Sequence, residues 1–245
     1  MSHASFQWFW KMGVATAQKT ARSLDTITIE GLDESYTTEI WLTDTTQEEI
    51  AGLLPLWAGM MEPERARQMV ANAILDEKRF WRTCGIPAIS AREDAYSPEK
   101  EGNPGAVWMF ANGLVGEGML ASGFRGETAE LVGRLMRVVI ASLRRDHDFS
   151  ARYHPDQGLP LGEAGHFDGL APLDLFLQTL GLQFGDLHRV QVEPGNPFPW
   201  PVTVRWRGMS VVYDEERVTV TFPDGGLARV AGEGKSWIEQ GVSGA

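Results

Sequence analysis

Near Gly181 the hydrophobic period of this 245-residue chain changes, and no single layer of one element type can satisfy both halves. Upstream, apolar residues recur at spacings of three and four, as one face of a helix does. Downstream, Val202-Thr-Val-Arg-Trp206 and Arg217-Val-Thr-Val-Thr-Phe222 alternate with period two. The chain is therefore expected to be mainly α, with a small antiparallel β unit at its end. We divide it into a helical part over residues 1–188 and a β tail over 189–245, with Pro194 to Pro201 as a proline-rich linker.

Six helices are expected, near residues 5–29, 46–59, 63–78, 105–123, 127–147 and 166–180. The first places Phe6, Phe9, Trp10, Val14, Ala17, Ala21, Leu24 and Ile27 on one face, and its aromatic first turn calls for a cover. An extended segment follows at Tyr36 to Leu42. Thr-x-x-Glu spacings near Thr45 and Thr46 open the second helix, and Glu62-Pro63-Glu64 opens the third with proline and carboxylates in its first turn. The fourth carries Gly113, Gly116, Gly118 and Gly123 at or near one face, where a neighbouring helix can approach closely. The fifth buries Leu131, Leu135, Val138 and Val139 and ends on Arg144-Arg145, favourable to the helix dipole.

Two stretches have no helical period. Phe80 to Gly105 is longer than an ordinary connection, and loops of that length are functional or disordered. Phe149 to Gly162 is a polar, Pro/Gly-rich loop carrying Tyr153 and His154 between two apolar helical segments, which is where a helical scaffold places a binding site.

Composition narrows the function classes. A formal net charge of −11 without a basic cluster excludes a surface that tracks nucleic-acid phosphates. Cys84, the only cysteine, excludes an internal disulfide and a cysteine zinc site. No apolar run reaches the length of a membrane span, and Met1 to Lys11 lacks the pattern of a signal peptide, so a soluble cytoplasmic protein with no membrane partner is expected. His147, His154, His166 and His188 have no metalloprotease spacing, and neither a Gly-x-Ser-x-Gly elbow nor a phosphate-binding Gly-x-x-x-x-Gly-Lys loop occurs. No metal and no cofactor are expected. Nine tryptophans supply flat faces of the kind that suit sugar rings, besides filling the core.

Several separated segments carry a resemblance. Phe149-Ser-Ala-Arg-Tyr153-His-Pro155-Asp-Gln-Gly158 resembles the Phe-x-Glu-x-Tyr-x-Pro-x-x-Gly segment of the (α/α)6-barrel glycosidases of the trehalase, processing α-glucosidase I and mannosylglycerate hydrolase group, a family 63-like set. Leu53-Leu-Pro-Leu-Trp-Ala-Gly59 resembles their Leu-Pro-Leu-x-Ala-Gly signature, and Gly85-Ile86-Pro87 followed by Ala95-Tyr96 resembles their rim loop. Asn103, Gly105, Trp108 and Asn112 match their Asn-Trp-x-Gly-Pro-x-Trp-x-x-x-Asn motif if one residue is deleted; the first Trp of that motif has no counterpart.

The resemblance implies half, or part, of an (α/α)6 toroid, because a closed barrel needs twice the six helices counted. It implies a carbohydrate ligand, an α-glucoside or α-mannoside. Trp108 and Tyr153 would line the sugar subsite, and Asn103, Asn112 and Asp168 would hydrogen-bond hydroxyls or support its wall. The family's general base, a Glu, falls at Ala151, and its general acid, an Asp of the N-terminal half-barrel, has no counterpart. Asp148, Asp156, Glu163 and Asp168 are the substitutes available for the base. A chain of this kind is expected to be an incomplete or inactive glycoside hydrolase-like domain, partnered by a missing N-terminal half-barrel or by self-association. The alternatives are a catalytically dead sugar-binding or scaffold protein and a self-contained all-α domain.

Overall fold

Proline and glycine positions set the helix boundaries in the computed structural model, which describes residues 47–214 and 216–241. A 3-10 turn at Ile50–Leu53 runs into a single turn of helix, α1 (Leu54–Trp57), with Pro55 in its first turn. Helix α2 (Pro63–Met69) starts on its proline, whose missing N–H costs nothing there, and relaxes into a π turn at Val70–Ile74. Strand β1 (Val107–Trp108) leads directly into α3 (Met109–Ala121), after which α4 (Arg125–Asp146) returns. Strands β2 (Ser150–Tyr153) and β3 (Pro160–Ala164) follow, then a 3-10 turn at Phe167–Leu170 and α5 (Ala171–Leu180).

The remainder is β: β4 (Gln183–Asp186), β5 (Arg189–Val192), β6 (Val202–Trp206), β7 (Met209–Tyr213), β8 (Arg217–Thr221), β9 (Leu227–Ala231) and β10 (Ser236–Glu239). Among the described residues the strand pairings are all antiparallel, in three sheets of order β1-β2-β3, β10-β5-β4 and β6-β7-β8-β9.

The expected helix at 5–29 and the extended segment at 36–42 lie outside the described residues. Several expectations are corrected inside them. The helix expected over 46–59 is a 3-10 turn plus four residues of α-helix, and the one expected over 63–78 leaves α geometry after Met69. The fourth helix begins at Met109, because Val107 and Trp108 pair with Tyr153 and Arg152. The stretch from Phe149 to Gly162 is no loop: most of it forms β2, the turn and the start of β3. Pro194 to Pro201 is packed down and is no free linker, since buried Phe198 packs against the tilted ring of Phe176 at 5.0 Å and stacks on Trp200 at 5.3 Å. Strands β4 and β5, on either side of Leu187-His188, pair as an antiparallel hairpin.

The glycines of α3 bring its neighbours close. A Cβ on Gly116 would sit 2.4 Å from Leu175 Cδ2, and one on Gly118 would sit 2.7 Å from the backbone nitrogen of Trp57. Gly113 faces Ala171 and Gly116 faces Leu175, so α3 and α5 run in the same direction. Helix α4 divides two apolar cores. Leu131, Leu135, Val138 and Val139 join Val115, Met119, Ile86 and Tyr153 on one side, whereas Ala129 and Val132 join Leu175, Leu180 and the β residues Val190, Val211 and Val220 on the other.

Arg125, at the start of α4, ties the helical layer to the β tail. Its guanidinium donates to the carbonyls of Thr179 (2.9 Å) and Leu180 (3.2 Å), which end α5 without helical partners, and to those of Pro194 (3.3 Å) and Gly195 (3.1 Å). It also pairs with Glu193 at 3.3 Å. Gly181 closes α5 in the left-handed region at φ 67°, and a Cβ there would lie 2.3 Å from Glu193 Cβ.

Two glycine substitutions should separate contact from propensity. Gly118→Ala should destabilise the fold by about 1–3 kcal/mol through overpacking against α1. Gly126→Ala, where nothing lies within 4 Å, should be neutral or stabilising by up to ~1 kcal/mol. Urea denaturation of both variants checks this, and equal midpoints would contradict the packing described.

Candidate functional site

The segment from Phe80 to Gly105 lacks regular structure yet is fastened along its length. Asn112, fully buried in α3, accepts a hydrogen bond from Ile86 N–H at Oδ1 (2.8 Å) and donates from Nδ2 to the carbonyls of Ile86 (2.8 Å) and Trp108 (2.9 Å). One side chain thus satisfies both backbone groups of a buried loop residue, groups that would otherwise be stranded. Gly85 beside it has φ 136°, and a Cβ there would meet Leu135 Cδ2 at 2.7 Å and Asn112 Oδ1 at 3.0 Å. Gly105, at φ 94°, leaves room for the ring of Tyr96, which a Cβ would meet at 2.6 Å.

The same segment is locked to the β2–β3 turn. Arg82 pairs with Asp156 at 2.8 Å, and the Tyr96 hydroxyl donates to the other Asp156 oxygen at 3.4 Å. Burial first, and then the Asp156 charge, push the Tyr96 phenol up to about 12, while the hydrogen bond to Asp156 raises Arg82 above its ordinary value. His154 is nearly buried. Its Nδ1 accepts from the backbone N–H groups of Asp156 and Gln157, both at 3.2 Å. The ring proton therefore sits on Nε2 and is donated to Glu99 at 3.1 Å, which holds the Glu99 carboxyl below its usual range.

Beside this framework lies a groove of about 250 Å³, whose lining includes Glu49, Ala88, Ile89, Asn103, Pro104 and Trp108. Trp108 is 39% exposed. Asn103 holds the opposite bend at φ 50°, with Nδ2 donating to the carbonyls of Pro98 (3.0 Å) and Lys100 (3.3 Å). Asn103 and Trp108 are thus brought together, and Asn112 lies behind them with its amide group engaged.

Trp108 and Tyr153 are not brought together. Trp108 pairs with Arg152 and Val107 with Tyr153, so the two aromatics point to opposite faces of β1–β2. Tyr153 is fully buried, and its hydroxyl accepts from Ser150 N–H at 2.9 Å. The residue that shares the Trp108 face is Arg152, whose guanidinium stands 4.5 Å from the ring centroid. Sequence reasoning missed Arg152 because its partner strand is only two residues long and has no period to read.

Ala151 is half-buried in the middle of β2, opposite an irregularity where Ser150 pairs with Ala164 and Arg152 with Leu161. The extra residue is on β3, where Gly162 takes φ 79°. Of the four carboxylates considered as substitutes, Asp156 is paired with Arg82, and Asp168 is exposed and stands 3.3 Å from His166. Asp148 accepts from the neighbouring Phe149 N–H at 2.7 Å, and Glu163 is exposed on β3. Among the described residues, no group of three His, Cys, Asp or Glu side chains is arranged to hold a metal ion. None of their helices is long and apolar enough to cross a membrane.

Comparison with known proteins matches residues 16–168, more than half of the chain, to the mannosylglycerate hydrolase MGH1-like glycoside hydrolase domain. No curated protein matches. Among solved structures, the chain is similar to an uncharacterised conserved protein from Thermus thermophilus, at 26% identity over 54% of this chain and 31% of that one, with a TM-score of 0.43. It is also similar to a family 63 mannosylglycerate hydrolase from the same organism, solved in complex with glucose, at 27% identity over 54% and 30% of the two chains, with a TM-score of 0.42. A sialidase shares 14% identity over 80% of this chain and 21% of that one, with a TM-score of 0.52, which is a likeness of fold alone. The chain spans about a third or less of the length of these proteins.

Two outcomes test the framework. Asn112→Ala strands the buried N–H and C=O of Ile86 and should cost about 2–4 kcal/mol in denaturant-measured stability; a loss below ~1 kcal/mol would mean the loop is held elsewhere. Tyr96 titrates at about 12 in the fold, against ~10 for a free phenol. A phenol whose folded value is raised favours its neutral form in the fold, so its contribution is complete below pH ~10 and is lost as pH rises through about 12. The parent should therefore lose more stability than Tyr96→Phe does between pH ~10 and about 12, and parallel curves would contradict this.

Proposed function

The chain belongs to the family of the mannosylglycerate hydrolase MGH1-like glycoside hydrolase domain, and from that premise we propose that its groove beside Trp108 binds a sugar ring of an α-glucoside or α-mannoside. The observation that carries the reading is the pairing of an exposed, flat Trp108 with a wall built on Asn103 and Pro104. Aromatic faces suit the C–H face of a pyranose, and a few fixed polar groups at the rim then set its orientation. In this reading Asn112 and Tyr153 act from beneath, as supports of the wall. The helices would form part of an (α/α)6 toroid over residues 1–188, with residues 189–245 as its β tail, in a cytoplasmic protein.

Hydrolysis with inversion requires one carboxyl group to protonate the leaving oxygen and another to activate water. At the position matching the family's base, Ala151 offers a methyl group, which accepts no proton. Asp156 is a poor replacement because Arg82 and Tyr96 already occupy both of its oxygens. Asp148, Glu163 and Asp168 remain, and neither they nor Ala151 itself are among the residues that line the groove. The reading is therefore a glycoside hydrolase-like domain that binds sugar but does not hydrolyse it as this chain. A sugar-binding or scaffold role without chemistry is the second reading, and Ala151 favours it.

A glycosyl fluoride separates the two, because fluoride departs without protonation and its hydrolysis depends on the base far more than on the acid. Ala151→Glu should release fluoride from a glucosyl or mannosyl fluoride measurably above the parent, and azide or formate should partly reproduce the effect in the parent. No gain in a folded Ala151→Glu variant would remove Ala151 from the base position. In the same preparations, glucose or mannose should change tryptophan fluorescence in the parent and leave it unchanged in Trp108→Ala; an unresponsive parent would leave the groove without a sugar.

A further inference from the structure

The β tail carries a second surface with the chemistry of a sugar platform, independent of the Trp108 groove. In the β10-β5-β4 sheet, Gln183 pairs with Gln191, and Gln191 pairs with Trp237. These three side chains therefore form one lateral row on one face, because residues directly opposite in an antiparallel pair share a face. The next row on that face holds Arg189 and Glu239, with the bare backbone of Gly185 alongside. The other face is spent on the core: Val190, Val192 and Ile238 are buried, and Phe184 stacks on Trp206 at 4.8 Å.

Trp237 does not join that core. It is 40% exposed, and it leans over Gly185, where a Cβ would come within 3.1 Å of its Cζ3. The Arg189 guanidinium stands over one face of the indole, 4.3 Å from the centroid, and is itself paired with Glu239 at 3.4 Å. An indole with two carboxamides in register beside it can stack on the C–H face of a pyranose while the amides donate to and accept from adjacent hydroxyls. The Arg189 charge is thus matched by a carboxylate, and the whole chain carries a net charge of −11, so neither favours an anionic ligand.

We propose that this face of the β10-β5-β4 sheet is a second carbohydrate-binding site, in which Trp237, Gln183 and Gln191 hold a pyranose ring of a neutral glycan. Gly185 is the seat that lets the indole lie low enough for Gln191 to reach the same ring. A site of this kind on the tail would hold a polymeric substrate without taking part in the chemistry of the groove.

Affinity electrophoresis of the full chain through native gels containing glycogen, mannan or, as the anionic control, carboxymethylcellulose tests the proposal. The parent should be retarded by glycogen or mannan and not by carboxymethylcellulose. Trp237→Ala should lose most of that retardation, and Trp200→Ala, which removes an equally exposed indole from another surface, should keep it. Each comparison is made in the parent and in a Trp108→Ala background, and the loss caused by Trp237→Ala should be the same in both, so a failure of the groove reading leaves this result intact. If Trp237→Ala proves misfolded by circular dichroism, the Gln183→Ala/Gln191→Ala double variant decides, with a several-fold weaker retardation expected. A parent that migrates freely in both neutral gels, a folded Trp237→Ala or double variant retarded like the parent, or retardation by the anionic polymer alone would each overturn the proposal.

Discussion

The hydrogen bonds between Asn112 and Ile86 are the constraint on which the candidate site depends. A segment as long as Phe80 to Gly105 has to satisfy its backbone groups without a helix or sheet ladder, and any that are buried must find partners in side chains. Asn112 supplies both partners for Ile86 from a position inside α3, where the side chain is fully buried and the helix fixes its direction. Because the same amide also holds the Trp108 carbonyl, the clamp fixes the loop and the start of α3 relative to each other. Asn103 and Trp108 can then face each other across a groove that is preformed, which lowers the ordering cost of any ligand that fits it.

The polar network around Asp156 works alongside the clamp and also limits the chemistry. A carboxylate shared between Arg82 and Tyr96 fastens the loop to the β2–β3 turn. The same engagement leaves neither of its oxygens free to meet a ligand. The turn that carries it is therefore organised for rigidity, with His154 bonded to two backbone amides and to Glu99.

Much of the helical scaffold was legible because its signals are local. The spacing of Gly113, Gly116 and Gly118 announces close helix approach, and the neighbours prove to be Ala171, Leu175 and the backbone of Trp57. The β1-β2-β3 sheet was not legible, because β1 has two residues and β2 four, too few to show a period, and both ends of β2 are buried. The error on Tyr153 has the same origin: its face is set by pairing with Val107 across the sheet, a contact no local pattern encodes. Arg152 and Glu99 were missed for lack of any residue-level signal, since each gains its place from a partner far away in the sequence. Strand β7 is different. Met209, Val211 and Tyr213 alternate in sequence and are buried in the structure, so its period was there to be read.

Hydrogen exchange at Ile86 tests the central claim most directly, because the clamp acts on that amide itself. If Asn112 holds the loop as a fixed wall, the Ile86 N–H should be protected to nearly the level of core amides of α3 such as Val115, while Gly102 on the exposed turn exchanges orders of magnitude faster. An Ile86 amide that exchanges as fast as Gly102 in the folded protein would contradict the account, since the wall of the groove would then form only when something binds.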